Sequence, residues 1–377
     1  MSSGSSTNNV GALGQIAPEL GPGEGNGALQ SAPPEPPLRA ASLQDGDPES
    51  APSSGATRTE YKASIYQSDA ISPELGEALE ELGAALGGMA VWLLVQDGQA
   101  SYEANSVSEA IADQLFLQRD ELKPGEPVAV VIDSLGGDAR EAYRIATLLR
   151  KQCGGFVAVV PRMAKSAATL FAFGADQIVL GEFGELGPLD VQIRAEPGEP
   201  FESALNEVEA VQRLRTDVLA AVDETMWLLL PRLLKKPDAV LPHAIELVTK
   251  TMRPLLEKVD TKLYTKRSRE LKVGEDYAAR LLTNRYPKEA AKAIAQSFVH
   301  DYADHIVIID AEEAARVMQE AQKATHGLVD ASLAPLTAPM TPELCRILNQ
   351  LLPRMRGLTA VGLLRKVEVT DDPPAQD

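Results

Sequence analysis

Residues 127–181 read PVAVVIDSLGGDAREAYRIATLLRKQCGGFVAVVPRMAKSAATLFAFGADQIVLG. Three short apolar runs, PVAVVID, FVAVVP and DQIVLG, have the continuous β-branched character of strands buried on both faces. Between the first two, DAREAYRIATLLRKQ places Ala142, Ile145, Ala146 and Leu149 on one face at helical spacing, and AKSAATLFAFGA reads as a buried helix. Strands that alternate with helices in this way imply an α/β fold with a mainly parallel sheet, because parallel neighbours need a long crossover connection.

The pattern continues outward. MAVWLLV, starting at Met89, predicts a further buried strand, and SVSEAIADQLFLQRDEL predicts a helix after it. Ser72-Pro73 marks an earlier helix start, since Ser suits the N-cap and Pro the first turn. Downstream, residues 201–260 read as amphipathic helix, RYPKEAAKAIAQSFVHDYADHIVIIDAEEAARVM as helix, strand and helix, and TPELCRILNQLLPRMRG as a terminal helix. These readings give a leader at 1–60, a main domain at 61–335, a C-terminal helical extension at 336–366 and an acidic tail at 367–377. Leader and tail are expected to be disordered: the leader is dense in Gly, Pro, Ser, Ala and Glu with little to bury, and the tail is acidic and Pro-containing.

Composition narrows the partners. The chain has 377 residues, 44% of them hydrophobic, which is enough for one large core or two modest ones. A net charge of -18 disfavours a phosphate backbone as partner, so no nucleic acid is expected. No apolar run approaches the about 18 residues that span a bilayer, so no membrane partner and a cytoplasmic location are expected. Cys153 and Cys345 lack CxxC spacing and read as two buried thiols in a reducing compartment, without a metal site. Neither a P-loop nor a dinucleotide fingerprint occurs, so no cofactor is expected.

Two segments carry chemistry. Asp133-Ser134-Leu135-Gly136-Gly137-Asp138 follows a buried strand, and paired glycines let backbone amides approach a ligand closely, although a plain βα turn would look the same. Pro161-Arg162-Met163-Ala164-Lys165-Ser166-Ala167-Ala168-Thr169 sets a serine at the start of a small-residue helix, where local positive potential favours an alkoxide and an oxyanion. Taken alone, Ser166 would equally serve as an N-cap.

The two segments in order, followed by Leu186-Gly187-Pro188-Leu189-Asp190-Val191-Gln192, resemble the SDH-type (serine dehydrogenase-type) serine proteinases of the Clp and crotonase superfamily, whose strings are similar to D-x-x-GG, AKSAAT and LGPxDPQ. The resemblance covers residues 89–194. A looser one links His300-Asp301-Tyr302, Ala303-Asp304-His305 through Ile309-Asp310, Glu312-Glu313-Ala314 and Gly327-Leu328-Val329 to the family's distal strings. It implies a Clp/crotonase-like spiral of repeated ββα and βα units with additional C-terminal helices. It also implies Ser166 as nucleophile, the Gly136, Gly137 and Ala167 amides as oxyanion donors, a peptide or protein substrate and a homo-oligomer.

The general base is where the chain departs from this pattern. A Clp-type triad offset from Ser166 falls on Asp190 instead of a histidine, and no histidine occurs between Ser166 and His243. A Ser-Lys dyad lacks its downstream lysine, since none occurs between Lys165 and Lys235. Lys165, Asp190 and His305 remain as candidates. Lys165, next to Ser166 in sequence, would have to fold back to reach it or would line the cleft, and His305 would come across the fold or from a neighbouring subunit. Asp190 would also serve as a turn cap, and His300 and His305 as surface histidines in a polar patch. His243 and His326 have structural readings. Val191 replaces the family's second proline. The expected activity is peptide-bond hydrolysis through a Ser166 acyl-enzyme. The alternatives are a crotonase-like acyl-CoA enzyme and a catalytically silent peptide-binding scaffold.

Overall fold

A computed structural model describes residues 57–98, 100–189, 192–194, 201–324 and 336–370. The elements in chain order are β1 (Thr57–Ala63), β2 (Tyr66–Gln67), α1 (Pro73–Ala85), β3 (Ala90–Gln96), α2 (Glu109–Leu117), β4 (Val128–Asp133), α3 (Ala139–Cys153), β5 (Phe156–Val160), β6 (Met163–Ala164), α4 (Ala167–Ala172), β7 (Gln177–Leu180) and β8 (Glu185–Leu186). They continue with β9 (Gln192–Arg194), β10 (Phe201–Ser203), α5 (Ala204–Leu233), α6 (Pro237–Leu256), α7 (Thr261–Leu282), α8 (Lys288–His300), α9 (Ala311–Ala324), α10 (Pro342–Met355) and β11 (Thr359–Thr370).

The main sheet has the order β1-β11-β3-β4-β5-β7. β3, β4, β5 and β7 run parallel, as their unbroken apolar runs require, while β11 pairs antiparallel with both β1 and β3. Strand alternation divides the core. Val91, Leu93, Val95, Val131, Val157 and Val159 face α1 and α10, whereas Trp92, Leu94, Val130, Ile132, Phe156 and Ala158 face the layer that includes α3, α4 and α8. Each fully buried Val, Leu or Phe contributes roughly 1.5–3 kcal/mol, so both faces hold the sheet in place.

Local signals explain the helix ends. Ser72 caps α1, its side chain accepting from the Leu75 amide at 3.2 Å, and Asp138 caps α3, accepting from Arg140 N at 2.7 Å. α3 stops at Gly154, which takes a left-handed conformation at φ 75°.

A second, shorter ladder crosses the C-terminal ends of the parallel strands. Ser134 bridges Ala164, Ala164 pairs with Leu186 in the β6–β8 pair, and Leu186 bridges Ile309. Repeated turns of the chain from the main sheet into this ladder and back through a helix form the spiral α/β architecture.

Four expectations differ from the structure. Residues predicted as a helical extension and acidic tail include β11, twelve residues long, which lies inside the sheet between β1 and β3. Leu363-Leu364-Arg365-Lys366 are good helix formers, but cross-strand pairing some three hundred positions away outweighs local propensity. The IVIID run expected as a strand makes a single bridge at Ile309, and Ile306 and Ile308 are exposed. Of the predicted leader, residues 57–60 belong to β1, and the rest lies outside the described residues, as do residues 371–377 of the tail. Cys153 is buried as expected, while Cys345 is half-buried. No described helix is long and apolar enough to cross a membrane.

Candidate active site

The short ladder delivers Ser166. After β6 the backbone turns sharply, and Ser166 takes φ 50° and ψ -119°, one of two positive φ values among the described non-glycine residues. Such a conformation costs on the order of 1–3 kcal/mol and persists only where its surroundings over-determine it. They do here: Lys165 N donates to Ser134 O at 2.9 Å, and Ala168 N and Leu170 N donate to Lys165 O and Ser166 O at 2.9 and 3.0 Å. Thr169 closes the turn from below. Its buried hydroxyl donates to Ala164 O at 2.5 Å, lies 3.0 Å from Gly187 O, and accepts from Gly187 N at 3.0 Å, pinning the LGP segment to the start of α4.

Gly136 lies directly against this turn. At φ 104°, a Cβ built on it would stand 2.6 Å from Lys165 O, 2.9 Å from Ala167 N and 3.0 Å from Ser166 Cβ, so only glycine allows the two loops to meet. The Gly136 amide itself donates to Ser134 Oγ at 3.0 Å. That hydroxyl in turn donates to Gln96 Oε1 at 2.6 Å, and Gln96 Nε2 donates to Ala104 O at 2.9 Å. The Gly136 amide is therefore engaged inward. Among the described residues, the amides of Gly137 and Ala167 make no hydrogen bond; Ala167 follows Ser166 directly, and Gly137 follows Gly136, which packs on the Ser166 turn. Since α4 has six residues, the electrostatic contribution at Ser166 comes from such individual amides more than from a long helix dipole.

Lys165 is buried and turned aside. Its ammonium pairs with Glu185 Oε1 at 2.9 Å and lies 3.4 Å from the carbonyls of Leu186 and Val307. Its aliphatic stem passes over Gly187, where a Cβ would come within 2.6 Å of Lys165 Cδ. Lys165 thus ties β6, β8 and the 305–309 segment together. His305 is half-buried on that same segment, which Leu186 and Ile309 hold by paired amide bonds of 2.9 and 3.1 Å. Among the described residues no side chain hydrogen-bonds Ser166 Oγ. Asp190 and His326 lie outside the described residues. His243 is exposed on α6, and His300 Nε2 lies 3.9 Å from Glu275 Oε2 at the end of α8.

Beneath the site, the ends of β3, β4 and β5 are locked by charge. Arg162 Nε donates to both oxygens of Asp133 at 2.9 and 3.0 Å, and Arg162 Nη2 approaches Asp97 Oδ1 at 2.5 Å. Asp97 also accepts from Gly357 N at 2.9 Å, binding the approach to β11. Burial pushes the Asp133 carboxyl up to about 6 against the pull of Arg162. At Asp97 burial also opposes ionisation, but hydrogen bonds from Arg162 and Gly357 hold its carboxyl below the usual range.

Sequence reasoning had not singled out Ser134, Gln96, Thr169 or Glu185. Ser134, Gln96 and Thr169 are buried polar groups in or beside apolar runs, which is the signal that could have found them. Among the described residues no cluster of three His, Cys, Asp or Glu side chains is placed to hold a metal ion.

A serine at a strained strand-to-helix turn, glycines packed on it and a spiral of βα units define a ClpP-like α/β protein. Residues 118–228 match the family described as ClpP-like SDH-type serine proteinase. An uncharacterized protein of Methanocaldococcus jannaschii is 33% identical over 103 residues, 27% of this chain and 33% of that protein, so the match spans about a third of the relative's length. Among solved structures, a mutant of the membrane-bound stomatin-specific protease 1510-N aligns over 67% of this chain and 98% of its own at 12% identity and a TM-score of 0.32.

Proposed function

We propose that the protein is a serine endopeptidase that hydrolyses peptide bonds through an acyl-enzyme on Ser166. The observation that carries this reading is the strained Ser166 turn with Gly136 packed on it, followed by the amides of Ala167 and, one residue past Gly136, Gly137, neither bonded within the described protein. In the reaction Ser166 Oγ attacks the scissile carbonyl as its proton passes to a base, and the two amides take the charge that develops on the carbonyl oxygen. The tetrahedral intermediate expels the protonated amine, and water then releases the acid from Ser166.

The base is Asp190 or His305, the latter in the same chain or from a neighbouring copy in a homo-oligomer. Lys165 acts as a positioning residue, because its ammonium is paired with Glu185. The Ser166 Oγ without a bonded base among the described residues also supports a second reading, a peptide-binding scaffold that performs no chemistry.

The purified full chain is to be treated with a fluorophosphonate and the modified residue mapped by mass spectrometry. We expect labelling at Ser166 that disappears in Ser166→Ala. A folded protein that takes no label at Ser166 overturns the peptidase reading in favour of the scaffold.

A further inference from the structure

Away from Ser166, the turn between α5 and α6 has a surface chemistry that neither the fold nor the proposed reaction uses. Along its thirty residues α5 buries only Ala204, Leu205 and Val208, and α6 buries only Val240, Ala244 and Val248. Where the two helices join, large apolar side chains stand in solvent: Trp227 is 81% exposed, Leu228 51%, Leu233 48% and Leu234 89%. Arg232, Lys235 and Lys236 are exposed among them, and no acidic residue occurs between Glu224 and Asp238 in a chain whose net charge is -18.

The backbone adds a separate observation. Leu234 ends α5 at φ 50° and ψ 33°, a left-handed conformation in which glycine or asparagine is the usual occupant. A leucine that is both strained and almost fully exposed gives the isolated chain no stability, so its use lies in contact with something else.

We propose that this turn docks onto the surface of an anionic phospholipid bilayer. Trp227, Leu228, Leu233 and Leu234 enter the boundary between headgroups and acyl chains, while Arg232, Lys235 and Lys236 meet the lipid phosphates and carboxylates. Exposed Trp and Leu beside snorkelling cations are the composition that suits this interface. A second copy fits less well, because a two-fold contact would set these cations against each other with no acid between. The sequence expectation of no membrane partner rested on the lack of a spanning segment, and docking on a surface needs none.

Fluorescence supplies the test. Of the two tryptophans, Trp92 is 1% exposed in the core, so a change of emission on adding vesicles reports Trp227. The full chain is titrated with vesicles of phosphatidylcholine alone and of three parts phosphatidylcholine to one part phosphatidylserine, and binding is checked by flotation. A blue shift and flotation with the anionic vesicles only are expected. At low salt, affinity should fall roughly fivefold for each of Arg232, Lys235 and Lys236 changed to Gln, and wild-type affinity should itself fall as salt rises while these differences shrink. The Leu233→Asp/Leu234→Asp variant should lose binding while keeping its far-ultraviolet dichroism.

Absence of a shift with either vesicle, or equal binding to both, overturns the proposal. A blue shift without vesicles that follows protein concentration, together with a doubled mass by light scattering, also overturns it and assigns the surface to a second copy.

Discussion

At Ser166 the backbone is held in a conformation that serine does not choose, and the residues that force it there were only partly legible in the sequence. The small-Ser-small helix start and the glycine pair were readable as motifs. Not readable was that the Gly136 amide turns inward to Ser134 Oγ while Gly137 keeps its amide free within the described protein, because the two glycines are equivalent as letters and differ only in what lies across the chain. The Gln96–Ser134–Gly136 chain of hydrogen bonds is a brace: every polar atom in it is buried, and removing one strands another at a cost of about 1–3 kcal/mol. Ser134→Ala is therefore expected to lower thermal stability and to slow fluorophosphonate labelling at Ser166 by about tenfold, less than the loss of an oxyanion donor outright. Ser134→Thr, which keeps the hydroxyl, should restore the labelling rate. If Ser134→Ala melts at a lower temperature but labels at the wild-type rate, the brace supports the fold and not the site.

Among the elements, the strand ends matter more than the strands. The buried runs of β3, β4, β5 and β7 were legible because continuous apolar sequence of that length has few other uses in an α/β protein. Opaque in sequence were the contacts their C-terminal ends make, where Arg162 joins Asp133 and Asp97, and where Lys165 and Glu185 fasten the 305–309 segment to β8. The IVIID run illustrates the limit: its apolar letters suggest a strand, yet only Ile309 is buried and bridged, because the segment crosses the end of the ladder and does not extend it.

Asp133 gives these ends a measurable pH dependence. Its folded pKa of about 6 lies above the ordinary aspartate value of 3.8, so the folded state holds the proton longer than the unfolded chain. Its contribution is fully present below pH about 4 and is lost as pH rises through about 6, a change on the order of 2–3 kcal/mol. Asp133→Asn cannot titrate. Wild-type stability relative to this variant, measured by urea unfolding, should fall between pH 4 and pH 6. A difference that is constant over that window, or that rises, means that Arg162 keeps Asp133 ionised throughout.

For the molecule as a whole, the largest feature that escaped the sequence is the way the chain's far end completes its beginning. β11 pairs with β1 on one side and with β3 on the other, with registers such as Tyr61 with Lys366 and Val361 with Leu94. Nothing local announces this. Ala360, Val361 and Thr359 are fully buried, but Leu363 to Lys366 favour a helix in isolation, and only the presence of two waiting strand edges selects the extended form. Without β11, β3 would present an open edge next to the parallel sheet that carries Ser166, and β1 would keep only its isolated bridge from Tyr61 to Ile71. The parallel strands that carry Ser166 and the C-terminal strand should therefore unfold together. Truncation after Gly357 is expected to abolish cooperative thermal unfolding or to yield aggregated protein, and Val361→Asp, which places a carboxylate in the same buried position, should lower stability by several kcal/mol in urea while leaving the topology complete. A truncated chain that still melts in one sharp transition near the wild-type temperature would mean that β1 closes directly on β3, and that β11 covers the sheet without being needed to build it.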